Sequence, residues 1–254
     1  LGFATQFSRD EHGLTRFDGT PAFEPDDPTR AVHPVTGAGL FDFTRPEVRS
    51  FLLSSAMFWL EELHADGLRI DGLASVLFRD HRRAPGTWSP NAEGGRESLE
   101  AMTFVRQLTG TLKAQFPDVL LVADGSAAFR GVTHPSSSGG LGFDLDWDPR
   151  FFADAQFVLS LYPAERSRQR EMLATLSSRA ANEDLVVALS YADQERGSLL
   201  EQLGGAPEER VAKLRVLLAL AWAQRGKKLL FMGNELAPET AWHPGVGLDW
   251  RLEH

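Results

Sequence analysis

Cysteine is absent from this chain, which excludes disulfide staples, thiolate metal centres and cysteine nucleophiles. Concentrated positive charge is missing too. The 26 Lys and Arg stand against 35 Asp and Glu, for a net charge of −9, and basic residues come singly or in pairs such as Arg82-Arg83 and Lys227-Lys228. That argues against a nucleic-acid partner, because phosphate backbones are held by concentrated basic faces. No apolar run approaches the ~18 residues of a membrane span; the longest is "LRVLLALAWA" at 214–223. A membrane partner is therefore not expected, and a cytoplasmic location is. The opening "LGFATQFSRDEHGL" has no initiator Met, charged n-region or cleavage site, so the chain is expected to begin inside a longer protein or after processing. His12, His33, His64, His81, His134, His243 and His254 show no metal-ligand spacing and read as surface or loop residues.

What is present is a rhythm of strands and helices. "TRPEVRSFLLSSAMFWLEELH" reads as a helix with Thr44 as N-cap, Pro46 in the first turn and an apolar face of Val48, Phe51, Leu52, Phe58, Trp59 and Leu63. Gly67 is its expected stop. The strand "GLRIDGL" follows, then a loop rich in Gly, Pro and Arg, then a helix from about Arg96 to Phe116. Glu93, Arg96 and Glu97 read as the opening of that helix, where acidic residues are favourable. "VLLVA" at 119–123 is a continuous apolar strand of the kind covered on both faces. "GLGFDLDW", "EDLVVALS" and "KKLLFMGNE" supply three more strands, with helices near 149–162, 166–181 and 207–224. Five strands separated mainly by helices imply a parallel sheet, either open or closed into a barrel. No G-x-G-x-x-G or P-loop follows the first strand, so the barrel is preferred. Its active face lies where strands end, here at Asp71, Asp124, Asp146, Ser190 and Glu235.

Two acids at the ends of adjacent strands can share a cleft. Retaining glycosidases use such a pair, one carboxylate attacking the anomeric carbon and the other protonating the leaving oxygen, about 5 Å apart. Asp71 and Asp124 are the candidate pair. From the residues alone, Asp71 is either a catalytic carboxylate or the ion-pair partner of Arg69. Trp88, Trp147, Trp242 and Trp250 fall in loops or at strand ends, where a flat apolar face could lie under a sugar ring or simply pack.

"GLRIDGLASVLFRD", "TWSPNAEGGRESLEAM", "FDGTPAFE", "GGLGFDLDW", "GKKLLFMGNE" and "GLDWRLE" together resemble, in order, the catalytic barrel of bacterial 1,4-α-glucan branching enzymes of the α-amylase superfamily. The resemblance implies a (β/α)8 TIM barrel, incomplete, with strands from about the third to the eighth represented over residues 1–254. It also implies that the family's flanking N-terminal and C-terminal β domains are not represented within residues 1–254. It implies an α-glucan partner (glycogen, amylose, maltooligosaccharides), no metal and no organic cofactor. Asp71 then stands at the nucleophile and Arg69 beside it. Asp124 stands at the acid/base position, where the family has Glu in Ala-Glu-Glu-Ser and this chain has Ala123-Asp124-Gly125-Ser126. The family's Ser-His-Asp-Glu becomes Ser190-Tyr191-Ala192-Asp193, so Tyr191 and Ala192 replace a substrate-holding His and a transition-state-stabilising Asp. Leu1 and Gln6 replace an Asp and a His of the first motif. Trp88, Asn91, Trp147 and Tyr191 are the expected glucan contacts. An acid one methylene short is displaced by about 1.5 Å, and a misplacement of about 1 Å can cost about 100-fold in rate. The expectation is impaired branching activity or a non-catalytic glucan-binding relative.

Overall fold

A computed structural model describes all residues except 1, 4, 5, 10–13, 126–128, 149, 170, 173, 175–177, 179–181, 191–196 and 254. The chain divides into two compact units, Leu1–Asp146 and Trp147–His254.

The first unit is built on parallel strands. β1 (Gly2–Phe3) lies beside β4 (Gly67–Ile70), and β4 lies beside β5 (Leu120–Asp124), with Ile70 opposite both Phe3 and Ala123. β2 (Gln6–Phe7) and β3 (Gly39–Leu40) form a separate antiparallel pair. Gly67 has a role other than helix stop: a side chain there would meet the backbone carbonyl oxygen of Leu120 at 2.5 Å, so glycine allows β4 and β5 to start side by side. The turn out of the helix is made at His64, whose φ is 51°.

The helix Pro46–Glu61 joins β3 to β4, with Pro46 in its first turn and Arg45 as N-cap. Thr44 does not cap it. The Thr44 hydroxyl donates instead to Asp42 at 2.7 Å, and its backbone N–H donates to the same oxygen at 3.0 Å. The buried face is Val48, Leu52, Ala56 and Leu60, a strict fourfold spacing. Phe51, Phe58 and Leu63, expected on the inner face, are each 52 % exposed. The helix Leu99–Gln115 joins β4 to β5 after the short helix Leu73–Leu77, and buries Met102, Phe104, Val105, Leu108 and Leu112. It begins at Leu99 rather than Arg96 because residues 91–97 fold into a tight loop around Asn91.

β6 (Leu145–Asp148) carries the chain out of the first unit. In the second, the helix Arg150–Ser160 precedes β7 (Leu185–Leu189), all five of whose residues are buried, as expected for a strand covered on both faces. The expected helix at 166–181 lies partly outside the described residues; the turn Pro163–Arg166 and the 3-10 segment Ser167–Gln169 are its described beginning. Ser198 and Glu201 form a capping box for the turn Leu199–Gln202. The helix Pro207–Ala223 then returns the chain to β8 (Lys227–Leu230), parallel to β7. Phe151, Leu159, Val187, Leu214 and Leu217 are among the residues of this unit's core. Among the described residues, no helix is long and apolar enough to cross a membrane.

Candidate active site

The parallel register assembles the site. Arg69 lies opposite Val122 and Ile70 opposite Ala123, so Asp71 and Asp124 leave paired strands at the same level. Residues two apart on a strand share a face, which places Arg69 with Asp71, and Asp124 on the corresponding side of β5. Arg69 then spans both acids. Its Nη2 lies 2.7 Å from Asp71 Oδ1 and its Nη1 lies 3.2 Å from Asp124 Oδ2. Asp71 is thus the ion-pair partner of Arg69 at the place where a second acid arrives.

The two acids differ in environment. The Asp124 side chain is 20 % exposed and that of Asp71 is 44 % exposed. Burial pushes the Asp124 carboxyl up from the ordinary 3.8 to about 6, and a hydrogen bond with Asp71 adds to the rise, while the Arg69 guanidinium opposes it. The more buried acid is thus the one suited to carry a proton, and the more open one is suited to attack.

Two glycines make the exits. Gly72 (φ 62°) and Gly125 (φ 70°) both occupy the left-handed region. The loops touch, with the Ala74 N–H donating to the Gly125 carbonyl at 2.9 Å. Ser75 Oγ donates to the Gly72 carbonyl at 2.7 Å, and Gln6 Nε2 donates to Ser75 Oγ at 3.2 Å. Thr36 Oγ1 in turn donates to Gln6 Oε1 at 3.3 Å. Gln6 therefore braces the turn behind Asp71.

The other expected contacts are elsewhere. Asn91 is 7 % exposed and its amide is committed to its own loop, accepting from Glu93 and Gly95 N–H and donating to the Glu97 carbonyl. Trp88 lines a separate cavity of about 50 Å³ with Phe41, Phe78, Arg30, Arg79 and Arg83. Trp147 is half-buried on β6, in the second unit. Leu1, Tyr191 and Ala192 lie outside the described residues. His33, read as a surface or loop residue, lies in a loop but is only 8 % exposed, and its Nδ1 accepts from the backbone N–H groups of Val35 and Thr36. The segment Arg79–Arg83 that lines the Trp88 cavity runs through turns, with Arg82 at φ 58°, so no strand or helix period marked it in the sequence. Among the described residues, no group of three or more His, Asp or Glu could hold a metal ion.

Parallel strands with helical crossovers and acids at their exits fit a partial (β/α) barrel. Solved structures share this fold: an α-amylase from Geobacillus thermoleovorans, 15 % identical, superposes with a TM-score of 0.61 over 96 % of this chain and 51 % of its own. A maltogenic α-amylase from Thermotoga neapolitana does so with 0.61, at 14 % identity, over 95 % and 48 %. No family model matches the chain. Sequence relatives are more specific. The chain is 41 % identical over 251 residues to the 1,4-alpha-glucan branching enzyme GlgB of Shewanella sp. MR-4 and 43 % identical over 251 residues to GlgB 2 of Xanthomonas campestris, covering 98 % of this chain in each case. GlgB of Thermobifida fusca is 42 % identical over 97 % of it. The chain is thus similar in sequence to bacterial 1,4-alpha-glucan branching enzymes, and spans about a third of the length of those it matches, 34 % for the first.

Proposed function

We propose that these residues form the catalytic-barrel portion of a cytoplasmic α-glucan branching protein whose chemistry is weakened. The observation that carries this is Arg69 clasping Asp71 and Asp124 at the exits of adjacent parallel strands. In the full reaction, Asp71 attacks the anomeric carbon of an α-1,4-linked glucan while Asp124 gives its proton to the departing glycosidic oxygen. The glucosyl ester on Asp71 is then attacked by a 6-hydroxyl, whose proton returns to Asp124, and an α-1,6 branch is formed. Asp124 carries the proton that the first step requires at pH values below about 6.

The same geometry favours a second reading, in which the groove binds glucan without turning it over. Arg69 holds Asp71 and Asp124 together, but Asp124 is one methylene shorter than the Glu of the resembled family, and a misplacement of about 1 Å can cost about 100-fold in rate. Branching of amylose, followed by iodine staining and debranching, separates the two. The expected result is no detectable rise in α-1,6 linkages from the unmodified chain, together with retardation in a gel containing glycogen. Robust branching that Asp71→Asn abolishes would establish the active reading. Unaltered migration with and without glycogen would remove both.

A further inference from the structure

The cavity beside Trp88 inverts the charge of the molecule around it. Arg30, Arg79 and Arg83 line it, and Glu100 is the carboxylate among the lining residues, in a chain whose net charge is −9. Glu100 serves two of the three: Arg30 Nη2 lies 2.6 Å and Arg79 Nη2 lies 2.9 Å from its Oε1. Arg83 Nη2 donates to the Val32 carbonyl at 2.8 Å, a neutral acceptor. Arg79 Nη1 likewise donates to the Pro90 carbonyl at 2.9 Å, and Arg79 Nε is buried with no acceptor. Asp27 lies close enough to interact with both Arg30 and Arg83, so three arginines face two carboxylates and one positive charge is left over. An arginine cannot shed its proton to relieve this, and uncompensated charge in a partly buried site is unfavourable.

The remaining lining groups point the same way. Ser98 is 7 % exposed and N-caps the seventeen-residue helix Leu99–Gln115, yet its side chain makes no cap hydrogen bond, so its hydroxyl is available at the positive end of that helix. His33 and His81 also line the space, with ring centres 6.2 Å apart. The half-open cavity, of about 50 Å³, accommodates about four water-sized groups, which is the size of a tetrahedral oxyanion. Phe41, Phe78 and Trp88 form an apolar side suited to a ring-shaped body.

We propose that this cavity binds the phosphate group of a small phosphorylated sugar, held by Arg30, Arg79, Arg83 and Ser98. The site is distinct from the Asp71 site, and its assignment does not depend on the glucan reading. Calorimetric titration of the whole chain tests it with inorganic phosphate and with glucose 1-phosphate, against sodium chloride at matched ionic strength and against maltotriose. Saturable binding of phosphate is expected, with glucose 1-phosphate tighter if the apolar side takes the sugar. Arg83→Gln is expected to weaken binding about tenfold, the loss of one charge-assisted contact. Asp71→Asn should leave it unchanged. Ser98→Ala, which removes only a hydroxyl, should weaken binding a few-fold and serves if Arg83→Gln does not fold. A response to phosphate no greater than to chloride, binding by Ser98→Ala and any folded Arg83→Gln equal to that of the parent, or displacement of phosphate by maltotriose would each overturn the proposal.

Discussion

Two places in the first unit are built as charge-reversed copies of one another. At the strand exits, two carboxylates share one guanidinium; beside Trp88, two guanidinium groups share one carboxylate. The difference lies in what each can do about crowding. A carboxyl group takes up a proton, and Asp124 does so with its pKa raised to about 6. Arginine has no such exit within any ordinary pH range, so the second cluster stays charged and depends on a fixed counter-ion. The acid cluster can therefore change its charge with pH, whereas the charge of the basic cluster is fixed.

The largest effect should come from removing the shared carboxylate. Glu100→Gln leaves Arg30 and Arg79 without their shared carboxylate and should lower unfolding free energy by about 3 kcal/mol, measured by urea titration. Added phosphate should recover part of that loss, and failure to recover it would separate the cluster's structural role from ligand binding. Next is Asp124→Asn. Because the folded carboxyl holds its proton more tightly than an unfolded one, its contribution is fully present below 3.8 and is lost as pH rises through about 6. The parent should therefore lose about 2 to 3 kcal/mol relative to the Asn variant across that window. A pH-independent difference between the two would break the comparison at its acid end.

Asn91→Ala should cost about 2 kcal/mol by leaving the Glu93 and Gly95 N–H groups and the Glu97 carbonyl without their partner. Its effect on glucan retardation should follow stability alone. Gly125→Ala should cost about 1 kcal/mol from its left-handed backbone, since a side chain there meets nothing closer than 3.8 Å. If that substitution also changes the Asp124 titration followed by NMR, the turn and not only burial sets the acid's environment.

How much of this was legible in the sequence depended on whether the signal was local. β7 and the helix Pro207–Ala223 stand where their apolar runs placed them, because continuous hydrophobicity and a proline at a helix start are written in neighbouring residues. The inner face of Pro46–Glu61 was misread because aromatic residues count heavily in any apolar stripe. Phe51 instead lies over Phe23, with ring centres 5.4 Å apart, on a half-open side. Thr44 lost the capping role to a contact two residues back, with Asp42, which local propensity does not rank. The meeting of Arg69, Asp71 and Asp124 was readable from two short motifs. The basic cavity was not, because Arg30, Arg83 and Glu100 are far apart in the chain and each looks like an ordinary surface charge when read alone.

The pairing of Ile70 with Ala123 has a consequence for how such a site can change over generations. Side chains alternate across a strand, so inserting or deleting one residue within β5 ahead of Asp124 would turn that acid to the opposite face. Loss or gain of two would restore the face but move the carboxyl by one pleat, about 7 Å along the strand. The site is thus protected by a parity rule. Substitutions such as a shortened acid can accumulate gradually in place, whereas length changes in these strands act as an all-or-none break, and tolerated insertions belong in the loops that follow Gly72 and Gly125.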